Sequence, residues 1–174
     1  MNIRETLLEE HSKTQIAKLI SYIGHDRLRL AALVDVFLHG QNKLAQRAIW
    51  PIADIGVQHP EMLQPYLTPL LQKAQEPNVH VAVKRHVMRL FQVVELPEAL
   101  HSSLLNLAFG FLNNPTEAIA VRVCSMTVLQ RLTQIYPDLA QELRLVLADT
   151  LMNERSPGLI SRAKTVLKQL AEMK

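Results

Sequence analysis

Glycine, cysteine and aromatic residues are scarce in this 174-residue chain, and each scarcity excludes something. There are five glycines, and no two lie closer than sixteen positions, the spacing of Gly24, Gly40 and Gly56. A series of tight hairpins needs more residues that accept positive φ. Neither a phosphate-cradling loop nor a Gly-x-Ser-x-Gly elbow can be built from glycines so far apart, which argues against nucleotide enzymes and serine hydrolases of those kinds. The single cysteine, Cys124, rules out an internal disulfide and a thiolate site, and fits a reducing compartment. No two of the seven histidines are three or four residues apart, so no helix face offers a metal pair, and we expect neither metal nor cofactor. Aromatic residues make up 5% and tryptophan occurs once, as Trp50.

Long apolar runs are missing as well. The longest uncharged stretch, residues 99–116, carries His101, Ser102, Ser103, Asn106, Asn113, Asn114 and Pro115, which is too polar to cross a bilayer. The opening MNIRETLLEE has no apolar core behind a basic cap, so we read no secretory signal and expect a cytoplasmic protein.

What the chain does have is leucine and alanine, strong helix formers, and nine prolines that punctuate it. Pro60, Pro97 and Pro137 each precede an acid, a pattern suited to the first turn of a helix, where a missing N–H costs nothing and a carboxylate meets the positive dipole end. Pro77, Pro115 and Pro157 mark short breaks, with Asn114 and Ser156 as expected N-caps. Between the breaks one unit recurs: AQRAIWPIADI at 45, AVKRHVMRLFQVV at 82, AVRVCSMTVLQRL at 120 and SRAKTVLKQL at 161. They align with Arg47, Lys84, Arg122 and Arg162 in register, 37, 38 and 40 residues apart. A period of this size with two helices per unit predicts a helical repeat array, because no unit buries its apolar face alone. Helix pairs are expected near 42–58 and 60–75, 79–95 and 97–113, and 116–135 and 137–153, with a last helix at 157–172. Before them, the reading gives a short helix near 3–10, one at 13–23 opened by a Ser12/Gln15 capping box and closed by Gly24, and one at 27–39 closed by Gly40.

These residues resemble HEAT-type repeats, whose second helix reads Val-Arg-x-x-small-x-x-x-Leu-x-x-Leu. Val121, Arg122, Ser125, Leu129 and Leu132 match place for place, and Val83, Lys84, Val87, Phe91 and Val94 match in kind. The copy at Arg47 departs, with Trp50 and Asp54 at small and leucine places, and the usual aspartate six residues before the basic one is replaced by Gln41, Asn78, Thr116 and Ser156. The resemblance implies an all-α, right-handed superhelix of about four HEAT-like helix pairs. We therefore expect one domain over 1–174, with residues 1–40 as N-terminal capping helices and 41–172 as repeats. Stretches such as EEHSK, QRAIW and HPEMLQPYL are also similar to small single-domain bacterial HEAT-like proteins, which leads us to expect a complete chain and implies no chemistry.

No catalytic motif is legible, so a non-enzymatic scaffold is expected, binding a protein or peptide on its concave face. On the helical wheel Met88 and Met126 point outward, with Gln92 and Gln130 a turn later and Arg85 and Arg89 beside them, an adaptable ridge suited to such a partner. The competing register buries both methionines. Nucleic acid is the alternative partner: the second helices of the pairs hold ten basic and four acidic residues, the intervening ones two and five. A polar cluster of Arg47, Trp50 and Asp54 shares one helical face. Its sharp reading is similarity to HEAT-like DNA alkylation-repair glycosylases, which set an aspartate beside tryptophan. Those enzymes are longer and richer in aromatics, so the preferred reading is structural, an Asp54–Arg85 bridge or a capped indole.

Overall fold

The computed structural model describes residues 1–173. Helices occupy most of the chain, and no strand occurs among the described residues. Their order is α1 (Ile3–Glu9), α2 (Lys13–Ile23), α3 (Arg27–His39), α4 (Asn42–Gln58), α5 (Pro60–Leu63), α6 (Leu67–Gln75), α7 (Val81–Leu90), α8 (Glu98–Asn113), α9 (Ile119–Ile135), α10 (Leu139–Asn153) and α11 (Pro157–Glu172). The expectation of an all-α helical-repeat fold is met. The helices gather into two compact units, Met1–Glu95 and the residues from Leu96 onward.

Short polar side chains set the starts of the N-terminal helices. Asn2, Ser12 and Asp26 accept from backbone N–H groups of the first turns of α1, α2 and α3. Half of the expected capping box forms: Ser12 Oγ accepts from Gln15 N, whereas the Gln15 amide reaches Thr6 O and Glu9 Oε2 and so ties α2 to α1. Gly24 ends α2 at φ 49°, a conformation most L-residues resist. Pro65 and Pro69 interrupt the helix expected over 60–75: α5 gives way to a 3-10 turn at Gln64–Tyr66 before α6 begins. Asn114 is not the cap of α9, which starts at Ile119; its side chain instead accepts from Thr116 N and Oγ1 and stiffens the preceding turn.

In the first unit α4 packs on α3 and α2 on one side and on α7 on the other, and α7 also meets α6. Gly56 lies on this line, where an added Cβ would collide with Leu90 and press on Leu63. In the second unit α9 is covered by α8, α10 and α11. Being packed from several sides widens the buried arc of α7 and α9, and that overturns the outward methionine ridge: Met88 and Met126 are both 0% exposed. Burying a methionine is worth about 1.5–3 kcal/mol, so the register that hides both is the stable one. Gln130 is buried with them, Gln92 is half-buried, and Arg85 remains exposed.

Basic residues of the repeat register hold helices together. Arg47 donates to the carbonyls of Leu7 and Leu8 at the end of α1. Arg122, 6% exposed, donates to Leu112 O and pairs with Glu154 at 2.6 Å. Arg162 donates to Thr127 Oγ1.

Candidate functional site

The first unit contains an open cleft of about 380 Å³, lined by Lys13, Ile16, Ala17 and Ile20 of α2, Trp50 and Asp54 of α4, and Arg89 of α7. Trp50 and Asp54 are four residues apart, so one turn of α4 presents them on the same face as the floor. The first turns of α2 form one wall and the end of α7 supplies the other. Asp54 pairs with Arg89, not with Arg85 as the sequence suggested: Arg89 NH1 lies 2.7 Å from Asp54 Oδ1. Arg89 is a full turn beyond Arg85 on α7, which brings it level with Asp54. The bridge leaves the Asp54 carboxylate 23% exposed, and its Oδ2 has no hydrogen bond among the described residues.

Two imidazoles lie against Trp50. His86 lies nearly parallel to the indole, with ring centroids 6.3 Å apart, and His11 meets it edge-on at 5.4 Å. The Arg85 guanidinium donates to His86 Nε2 at 3.0 Å. That nitrogen is therefore an acceptor, the proton sits on Nδ1, and Nδ1 is buried with no partner. Burial, reinforced by Arg85 and Arg89, pushes the His86 pKa down to about 4, against a smaller raising effect of Asp54. His11 is also lowered, first by partial burial and then by Arg47. Lys13 and Arg89 thus line the cleft with the indole and Asp54, while Arg47 and Arg85 lie one step back, acting on the two histidines that flank the indole.

The structure brings Arg47, Trp50, Asp54, Arg85 and Arg89 into one neighbourhood. Met88 leaves it for the core, and Met126 and Gln130 lie in α9 of the other unit. The α2 wall and the two histidines were missed. Lys13, Ile16, Ala17 and Ile20 fall outside the repeat register, and nothing in their sequence signals a site. The run Lys84-Arg85-His86 was a visible signal for His86, read only as charge.

In the second unit a mostly apolar cavity of about 360 Å³ lies between Leu105, Leu132 and Leu139. At its edge His101 Nε2 donates to Leu96 O while Nδ1 accepts from the Tyr136 hydroxyl. Among the described residues no cluster of metal-ligating side chains occurs, and no helix is long and apolar enough to cross a membrane.

Helices packed in pairs, with a basic residue returning every 37 to 40 positions, define a helical-repeat protein of the kind that serves as a scaffold or binding module. The family model of the HEAT repeat domain matches residues 3–170, and the chain belongs to that family. No curated protein and no solved structure matches it.

Proposed function

We propose that this HEAT-repeat module binds single-stranded nucleic acid across the α2–α4–α7 cleft. The observation that carries this reading is Trp50, the sole tryptophan, lining an open cleft with Lys13 and Arg89, and with Arg85 behind the flanking His86. Cations that neutralise phosphates supply affinity, and an aromatic face stacks an unpaired base whatever its identity. The wider surface agrees: α2, α4 and α7 together carry seven lysines and arginines against one carboxylate, Asp54. Base excision, the sharper possibility raised by the sequence, has only the proximity of Asp54 to Trp50 in its favour.

Lys13→Glu combined with Arg85→Glu should weaken binding of a labelled oligothymidylate about tenfold or more in fluorescence anisotropy, with the melting temperature little changed. Unchanged affinity in a folded double variant would remove the proposal. A protein or peptide partner is the second reading, now favoured by Leu145 and Met152, which lie seven residues apart on α10 and are 66% and 77% exposed. Replacing both by serine should then abolish partner recovery and leave oligonucleotide binding intact.

A further inference from the structure

The cleft holds more than cations and a stacking face. Beside the indole, Asp54 and Arg89 form an edge of fixed hydrogen-bonding sense: Asp54 Oδ2 is an open acceptor, and Arg89 keeps donors beyond the single N–H that it spends on Oδ1. The bridge orients both groups, so acceptor and donor are presented side by side rather than as two mobile side chains. Ile16 and Ile20 line the same cleft and give it an apolar wall. A volume of about 380 Å³ lies at the small end of the range for ligand pockets and suits a single ring system rather than a run of bases.

A flat heteroaromatic ring with adjacent donors and an acceptor on one edge is a nucleobase, and the bases differ in how they meet this edge. Guanine presents two neighbouring donors, N1–H and the 2-amino group, followed by the O6 acceptor. A carboxylate takes the two donors and a guanidinium gives to O6. Adenine and cytosine each bring one exocyclic donor group next to ring acceptors, which would face the Asp54 lone pairs. Uracil and thymine offer one N–H between two carbonyls, so one carbonyl oxygen opposes the carboxylate. We propose that the Trp50/Asp54/Arg89 cleft selects an unpaired guanine, stacked on Trp50 and read by Asp54 and Arg89. This rests on the strand-binding reading above, and it adds base selectivity to a surface that would otherwise be indifferent to sequence. Either a strand or a free guanine nucleotide could supply the base.

Because Trp50 is the sole tryptophan, its fluorescence reports on the cleft directly. The full chain is titrated with an oligothymidylate, with the same strand carrying one central guanine, with that guanine replaced by hypoxanthine, and with GMP and AMP. The guanine strand should bind about tenfold more tightly than the guanine-free one, and hypoxanthine, lacking the 2-amino group, should forfeit much of that gain. Asp54→Asn should flatten the ranking among strands, with circular dichroism confirming the fold. The hypoxanthine substitution keeps the test valid even if that variant unfolds. Quenching by GMP but not AMP, with no strand bound, supports guanine recognition and overturns the strand reading. Salt-sensitive binding of all strands with equal affinity overturns guanine selection and leaves strand binding standing. No binding by any ligand overturns both.

Discussion

At the scale of single residues, His86 is held in one protonation state by its neighbours. It is 5% exposed, accepts from Arg85 through Nε2 and has no acceptor for Nδ1–H, so an added proton would be buried among Arg85 and Arg89 with only Asp54 in its favour. Its folded pKa of about 4 is below the unfolded value of 6.5, which means that the unfolded chain takes up the proton first. The stability that neutral His86 contributes is complete above about pH 6.5 and is lost as the pH falls toward 4. His11, also lowered, acts in the same direction. Thermal melts between pH 7.5 and 4.5 should show a falling midpoint, and His86→Phe, which keeps a ring against Trp50, should flatten that slope. A slope identical to that of the parent would show that His86 is not its source.

At the scale of helices, the chain spaces its repeats by proline and joins them by close contact. Pro60 opens α5, while Pro97 and Pro137 stand one and two residues before α8 and α10, so all three mark starts to within two residues. The contact of α4 with α7 is tight where Gly56 faces Leu90 and Leu63. Gly56→Ala gains helix propensity of about 1 kcal/mol, but its methyl has nowhere to go unless Leu90 moves. Overpacking of this kind costs about 1–3 kcal/mol, so the net result should be a loss, read as a lower urea midpoint at unchanged m-value. A gain in stability would mean that α4 and α7 are less closely apposed than described. The same close packing explains why the methionine ridge failed as an expectation. A wheel drawn for one buried face understates a helix covered from several sides, and Met88 and Met126 lie in the added arc.

At the scale of the whole molecule, a net charge of +3 conceals an uneven distribution, with seven cations against one carboxylate on α2, α4 and α7. If about three cations of the cleft each neutralise a phosphate, the logarithm of affinity should fall with the logarithm of salt at a slope near −2, roughly a 20-fold loss between 50 and 200 mM. A slope near zero would point instead to the apolar face of α10 and a protein partner. The helical class, the repeat period, the approximate helix boundaries and the Trp50–Asp54 pair were determined by the sequence itself, because they depend on spacing along one helix and on where proline can stand. The tertiary structure alone decided that Asp54 pairs with Arg89, that α2 walls the cleft, that His86 lies beside the indole and that the methionines are core. Those are contacts between segments some 35 residues or more apart, or matters of how many neighbours cover a helix, and they depend on packing that local spacing does not encode.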